Sequence, residues 1–425
     1  MAELHWKGKG RARRARPLSL VTDEIRGDGT WADRLVQGEA ERVLPALLHE
    51  LAGKVDLIYV DPPFDTGSSF DYLATVSGVP ERIAVPAYLD ARGLDRWLEW
   101  FHGIALLLGQ MLAEGGSLYV HLDAHVAHYA KVVLDEVLGV RAFQREIIWR
   151  IGWISGFKSQ ARGWIRNHDT LLFYAKGGTP KTFHKSYVPY PPGYLRRDGV
   201  APKGKGYPLD DVWNASDIDR LDSIQIVSFS GEKLGYPTQK NERLVSRILS
   251  ASSSPGDLVL DCCAGSGTTA AAASRLGRRW IVGDASPVAI HVARQRIVGL
   301  EGRGPFVVQG RGSADAAGRK LGVRATSHGG TCTVQLVSYA MPSAPGISVK
   351  HWSQWIEGWC VDWESDERTL RVGSEAWRSR RGELPLRLEH VYSRPGIHRV
   401  RVRAYDALGG QATRSLRVRV RESQP

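Results

Sequence analysis

Residues 259–284 read VLDCCAGSGTTAAAASRLGRRWIVGD. The run is a strand, a glycine turn, a small-residue helix and a second strand. Gly265 and Gly267 lack side chains, so a ligand can approach the backbone closely. The alanines after Thr269 let the helix pack tightly on a sheet. Asp284 ends the second strand about 20 residues on, where a carboxylate can accept from both hydroxyls of a ribose. A third fingerprint glycine is absent, which speaks against a dinucleotide. No Gly-Lys-Ser/Thr follows, which excludes a P-loop. A nucleoside with a zwitterionic tail fits better, its carboxylate meeting N–H groups at the helix N-terminus. A tight strand–helix turn with no ligand is the competing reading.

The same rhythm continues on both sides. Strand candidates are VDLIYV (55–60), GSLYVHL (116–122), EIIW (146–149) and TLLFYAK (170–176), with helical spacing over 94–116 and 127–139. Residues 241–253 and 286–300 read as further helices. Strand–helix alternation argues a parallel α/β sheet, here a Rossmann-like one. Residues 177–235 lose the rhythm and turn rich in Gly, Pro, Tyr and basic residues. From about 330, short alternating runs such as TVQLVSY, HRVRVRAYD and SLRVRVR argue a small antiparallel all-β sandwich, similar to Ig/PKD-like strand pairs. The expected division is a basic flexible tail (1–30), the α/β domain (31–303, with 177–235 inserted), a linker (304–329) and the sandwich (330–425).

The chain has 425 residues, a net charge of +12 and four cysteines. That length supports two or three domains. The charge favours a polyanionic partner. The cysteines form no C-x-x-C pair and have no zinc spacing, so neither a disulfide framework nor a metal is expected. No apolar stretch approaches the ~20 residues of a membrane span. The basic N-terminus lacks the apolar core of a secretory signal. It reads either as a solvated tail or as a non-specific nucleic-acid arm.

The strand at 55–60 stops in Asp61, Pro62, Pro63 and Phe64. Proline cannot donate to a ladder, so the strand must end there. Open parallel sheets bind ligands beyond the C-terminal ends of their strands, so this motif and the glycine turn can face one crevice. Asp61 is an acceptor, the Pro62 carbonyl is a second acceptor held by restricted dihedrals, and Phe64 is a flat apolar face. This set suits an aromatic amine. Accepting both amine protons draws the nitrogen toward tetrahedral geometry and frees its lone pair, while Phe64 stacks on the base. A base in a duplex must be flipped out to reach such a pocket. Asp-Pro-Pro alone would read as a turn; its coupling to the glycine turn gives it chemistry.

Together these segments resemble the β-class amino-group DNA methyltransferases, adenine-N6 enzymes that include modification subunits of type III restriction systems. LIYVDPPFDTGSSFDY (57–72) is similar to the family's catalytic motif, with Phe64 where Tyr is common. DLVLDCCAGSGTTAAAA (257–273) resembles its cofactor loop, with Cys262 and Cys263 replacing Pro and Phe. YPTQKNERL (236–244) resembles its P-T-Q-K-P segment, with Asn241 replacing the second proline. The catalytic motif precedes the cofactor loop, which is the family's permuted order. The resemblance covers about 35–300 and implies S-adenosylmethionine as cofactor. It implies that Asp61, Pro62, Pro63 and Phe64 form the amine site. Ala264, Gly265, Ser266, Gly267, Thr268 and Asp284 would line the cofactor, with Thr238 and Lys240 at its methionine end and Asp261 near its ammonium group. Asp65 and Thr66 would stand just behind, and His168 is read as a structural histidine. Cys262 and Cys263 lie on the wrong motif for cytosine-C5 chemistry.

The implied partner is double-stranded DNA, with a homodimer and a separate restriction subunit admitted, in the cytoplasm near the nucleoid. Residues 176–208 hold seven Lys/Arg against one acidic residue, interleaved with Tyr187, Tyr190, Tyr194 and Tyr207. Lysine and arginine neutralise phosphates and aromatics stack on bases. The candidate DNA contacts are Arg150, Lys158, Arg162, Arg166, Lys185, Arg196, Arg197, Lys203 and Lys205; a solvated loop is the bland alternative. Arg399, Arg401, Arg403, Arg417 and Arg419 alternate along two strands and would share a face, either on DNA or against a partner. The rival functions are cytosine-N4 methylation, an inactive DNA-binding orphan module and, more distantly, an RNA substrate.

Overall fold

The computed structural model of the chain describes residues 3–10, 15–151, 160, 162–214, 232–312, 315, 317–342, 347–379 and 382–421. Strands β1 (Val21–Arg26), β2 (Asp33–Gln37) and β3 (Val55–Val60) come first, with helix α1 (Ala40–Leu51) between the second and third. The hairpin β4 (Ser68–Thr75) and β5 (Arg82–Asp90) leads into α2 (Leu94–Met111), β6 (Leu112–Leu122) and α3 (Ala127–Leu138). Then come β7 (Phe143–Arg150), β8 (His168–Ala175) and three two-residue strands, β9 (Tyr187–Val188), β10 (Tyr207–Pro208) and β11 (Val212–Trp213). Alternation resumes with α4 (Glu242–Ser252), β12 (Leu258–Asp261), α5 (Thr268–Arg275), β13 (Arg279–Asp284), α6 (Pro287–Val298) and β14 (Phe306–Gly310). The remaining strands are β15 (Lys320–His328), β16 (Thr331–Ala340), β17 (Ile356–Asp362), β18 (Leu370–Val372), β19 (Ser374–Trp377), β20 (Arg387–Val391), β21 (Gly396–Asp406) and β22 (Gln411–Val420).

Eleven strands form one mixed sheet in the order β11-β7-β8-β6-β3-β12-β13-β2-β14-β1-β18. Its centre, β6 through β14, is parallel. Helices cover both faces, so central strands are apolar on both sides rather than alternating. Ile58 and Val60 pack with α1, α2 and α3, whereas Leu57 and Tyr59 pack with α4, α5 and α6. Strands β3 and β12 are neighbours, Leu57 opposite Val259 and Ile58 opposite Leu260. Asp61 and Asp261 therefore leave adjacent strands at the same end of the sheet, although about 200 residues separate them.

Three boundaries differ from expectation. Residues 1–30 are not a free tail, because β1 pairs with β14 and β18. Leu18 is buried and Trp6 packs on the core beside α2. The sequence hides this strand because its inward positions carry charge: Glu24 and Arg26 are buried and paired to each other. Residues 304–329 are not a linker, because Phe306–Gly310 is β14 and Lys320–His328 is β15. The glycines and arginines flanking PFVVQG conceal a five-residue strand. The segment after 330 is not independent either. Its sheets β15-β16-β20 and β19-β17-β21-β22 enclose a shared apolar core, but β18 joins the large sheet. The β21 arginines do not all face outward. Arg403 is fully buried against Asp23 of β1, at 2.6 Å, while Arg399 pairs with Glu367 at 3.2 Å. Helix α2 stops at Met111, before the expected glycine pair, because Leu112 onward joins the sheet.

Candidate active site

The ends of β3, β12 and β13 open on a cavity of about 410 Å³. Asp61, Pro62, Pro63 and Phe64 line one wall, and Ala264, Gly265, Ser266, Thr268 and Asp284 line another. Thr238, Lys240 and Asp261 also face it. Gly267 does not line it, for a reason that its surroundings explain. At φ +76° it caps α5, and an added Cβ would stand 2.8 Å from the Ala293 Cβ in α6. Its missing side chain lets two helices approach. Gly265 (φ +49°) lies at the cavity, where a Cβ would come within 3.2 Å of the Tyr236 ring.

The glycine turn is held by carboxylates from two strand ends. The Gly265 N–H donates to Asp284 Oδ2 (2.8 Å) and the Ser286 N–H to its Oδ1 (2.9 Å). The Ala285 N–H is a third backbone donor to this carboxylate, whose two oxygens can accept about four hydrogen bonds in all. Burial pushes the Asp284 carboxyl above its ordinary value. Asp261 faces the cavity and also braces the turn. Its Oδ1 accepts from the Cys263 N–H (2.9 Å) and its Oδ2 from the Thr269 hydroxyl (2.6 Å). Both oxygens therefore brace the turn, and burial pushes this carboxyl up to about 7. The Thr268 hydroxyl donates to the Lys240 carbonyl (3.2 Å) and receives from Arg296 (3.0 Å). The Cys263 thiol is pushed well up by its hydrogen bond with Cys262 and by burial, which disfavours its thiolate.

The segment after β3 is pinned from behind. The Trp97 indole N–H donates to the Pro63 carbonyl at 2.6 Å. Asp90, at the end of β5, accepts from the Asp65 N–H (2.8 Å), the Thr66 N–H (3.1 Å) and the Thr66 hydroxyl (2.8 Å). Asp65 (φ +58°) returns its own Oδ1 to the N–H groups of Arg92 and Gly93. Asp65 and Thr66 thus tie this segment to the end of β5, with Thr66 itself lining the cavity, and their partner Asp90 carries no sequence signal beyond ending a strand. Thr238 holds φ +54°, costly for a β-branched residue, and bonds the Tyr88 hydroxyl at 3.0 Å.

Asp61 Oδ2 meets Lys240 Nζ at 2.6 Å. Its Oδ1 is buried and has no partner among the described residues. A buried carboxylate oxygen left bare at a cavity wall is an acceptor awaiting a donor. Phe64 stacks with His121 at 6.3 Å and carries Lys240 Nζ at 5.1 Å over its ring. Behind them His121 is fully buried, bonding the Tyr59 hydroxyl (2.9 Å) and Asp169 (3.3 Å). The cavity thus offers a bare acceptor and an aromatic face opposite a glycine turn with a ribose-height carboxylate, a donor set that fits a nucleoside with an amino-acid tail beside an aromatic amine. No group of three or more His, Cys, Asp or Glu among the described residues could hold a metal.

The candidate DNA contacts divide. Arg150, Arg162, Lys185, Arg196, Arg197, Lys203 and Lys205 are exposed. Tyr190 and Tyr194 stack in parallel at 5.4 Å with Tyr207 edge-on to both, beside these cations. Arg166 is exposed as well, and it also pairs with Asp123 (2.6 Å) and Asp169 (3.0 Å). Lys158 lies outside the described residues. His168 is exposed and does not line the cavity.

Residues 55–295 match a family profile described as DNA methylase. The chain is 30% identical over 240 residues to the type II methyltransferase M.BamHI of Bacillus amyloliquefaciens, covering 53% of this chain and 49% of that protein. It is 26% identical over 271 residues to the DNA adenine methyltransferase YhdJ of Escherichia coli, covering 60% and 78%. It spans only about half the length of M.BamHI. Among solved structures, that of an M1.HpyAVI–SAM complex covers 63% of this chain and 99% of its own, at 20% identity and a TM-score of 0.40.

Proposed function

The chain belongs to the DNA methylase family of N6 and N4 methyltransferases, and from that premise we propose that it methylates the exocyclic amine of a flipped adenine in double-stranded DNA, with S-adenosylmethionine as cofactor. The observation that carries this reading is the bare, buried Asp61 Oδ1 in the same cavity as the Gly265–Asp284 turn. Asp61 Oδ1 accepts a hydrogen bond from one amine N–H and the Pro62 carbonyl from the other. Phe64 holds the base in line. Asp284 takes the ribose hydroxyls, while Gly265 admits the cofactor's close approach. S-adenosylmethionine supplies the methyl group when bound. Pro63 and Asp65 act indirectly, through Trp97 and Asp90, by fixing where Asp61 and Phe64 stand.

The exposed cations of 185–205 and the tyrosine trio serve as the target-recognition surface, where cations meet phosphates and aromatics meet bases. The two C-terminal sheets form an Ig/PKD-like sandwich that is fused to the methyltransferase sheet through β18. DNA as substrate places the protein in the cytoplasm at the nucleoid, alone, as a homodimer or with a separate restriction subunit.

The test is incubation of purified protein with unmethylated genomic DNA and isotopically labelled cofactor, followed by nucleoside chromatography. Label in N6-methyladenine, lost in Asp61→Ala, is expected. Label in N4-methylcytosine would move the reading to the cytosine amine. Absence of label from the wild type, with DNA binding retained, would overturn it in favour of an inactive module.

A further inference from the structure

Lys240 stands where the target base should stack. Phe64 is approached by two groups, but His121 is fully buried and does not line the cavity, whereas Lys240 does. The cation covers the ring face that the cavity exposes. The same Nζ pairs with Asp61 Oδ2 at 2.6 Å, so it also neutralises the carboxylate whose other oxygen is the proposed amine acceptor. An aromatic amine entering here would meet a resident ammonium in its seat. The backbone of Lys240 is fixed elsewhere: its carbonyl accepts from Thr268, the first residue of α5. The side chain therefore runs from the start of α5 across the cavity to the end of β3. An ammonium leaves one carboxylate readily only for another anion, because a desolvated charge without a partner is costly.

We propose that Lys240 is a two-position cation: in the empty protein it neutralises Asp61 and covers Phe64, and on cofactor binding it turns to the cofactor's carboxylate and uncovers the amine seat. This rests on the proposed function and adds an order of events to it. The cofactor's anionic tail opens the base pocket, so cofactor and flipped base bind with positive coupling. Lys240 is in this sense a positioning residue, since it sets when Asp61 and Phe64 become available. The movement needs only side-chain rotation about a fixed backbone, and both end states keep the ammonium paired.

Two ligands separate the steps. S-adenosylhomocysteine carries the carboxylate, and 5′-methylthioadenosine keeps the nucleoside and sulfur but lacks the amino-acid tail. Calorimetry on Lys240→Met is expected to show S-adenosylhomocysteine weakened by roughly tenfold to a hundredfold, the range of a hydrogen bond to a charged group, with methylthioadenosine changed less than about threefold. Equal weakening of both ligands, or of neither, would overturn the proposal. The second readout needs no variant. Wild-type affinity for unmethylated genomic fragments should rise several-fold with saturating S-adenosylhomocysteine and not with methylthioadenosine, and the difference should vanish in Lys240→Met and in Lys240→Gln. Equal enhancement by both ligands in the wild type would refute the gating step. Failure of either ligand to bind the wild type would instead refute the cofactor reading itself.

Discussion

Substituting the two glycines of the turn with alanine should produce opposite defects. At Gly267 a Cβ would sit 2.8 Å from the Ala293 Cβ and 3.0 Å from its Cα, both beyond any rotamer's reach. Ala293 is fully buried in α6, so a helix must move. Overpacking of this kind costs roughly 1–3 kcal/mol, and the left-handed backbone at φ +76° adds about 1–2 kcal/mol for a residue with a Cβ. Gly267→Ala should therefore lose about 2–5 kcal/mol. At Gly265 the left-handed cost recurs, but the neighbour is the edge of the Tyr236 ring at 3.2 Å, which can yield by a few tenths of an ångström. That variant should lose only about 1–2 kcal/mol, yet its methyl projects into the cavity. Urea unfolding of the ligand-free proteins measures the first effect, and calorimetric titration with S-adenosylhomocysteine the second. The expected ranking is Gly267→Ala worse in stability and Gly265→Ala worse in affinity. A reversed ranking in either measurement would refute the assignment of one glycine to packing and the other to the ligand.

Other outcomes follow from named contacts. Asp90→Ala releases the three hydrogen bonds that hold Asp65 and Thr66; methylation turnover should fall roughly a hundredfold, the effect of an ångström-scale misplacement, with S-adenosylhomocysteine affinity little changed. Arg403→Ala removes the guanidinium paired with Asp23 and one of those around Glu24; breaking a buried pair from one side should cost about 3–5 kcal/mol in urea unfolding. Asp261 gives a signed pH effect. Its carboxyl is held up to about 7 by burial in the folded protein, against an ordinary unfolded value near 3.9. Between those values the folded state binds more protons, so the stability this group contributes is present at low pH and lost as pH rises through 7. The difference between wild type and Asp261→Asn should change by on the order of 4 kcal/mol from pH 4 to pH 8; a pH-independent difference would show that the carboxyl ionises normally.

The parts of the site legible in the sequence were those carried by short runs. LIYVDPP and VLDCCAGSG each combine an apolar strand with a stop, and the parallel pairing of β3 with β12 brings the two stops together. What could not be read are contacts that depend on elements remote in sequence. Asp90 meets Asp65 only because the β4–β5 hairpin folds back. Arg166 reaches Asp169 three residues on, which a sequence can suggest, but also Asp123 at the end of β6, which it cannot. Strand β1 was hidden for a related reason. A run such as VTDEIR violates the expectation that buried positions are apolar, and Glu24 is tolerable there because Arg26, Arg294, Arg403 and the Tyr405 hydroxyl surround it. Burial raises that carboxyl, but the surrounding arginines outweigh it and hold it down to about 2.

That charge cluster explains why the C-terminal sheets are not an appendage. Arg294 belongs to α6, the helix whose Ala293 packs against Gly267, and Arg403 belongs to β21. The carboxylates of β1 thus join the helix behind the glycine turn to the C-terminal sheets. A second tie reaches the other wall of the cavity. Val76 at the tip of the β4–β5 hairpin is buried in the C-terminal core, and the Gln354 amide donates to the Ser77 carbonyl at 2.6 Å. The opposite end of that hairpin supplies Tyr88 and Asp90, which hold Thr238 and the segment after Asp61. Both walls of the cavity are therefore referenced to one β framework. A framework gripping both walls holds their separation, and in the proposed reaction that separation matters, because Asp61 stands on one wall and Asp284 on the other. The arginine-rich strand that suggested a DNA-tracking face is, at Arg403, part of the buried link between β1 and the C-terminal sheets.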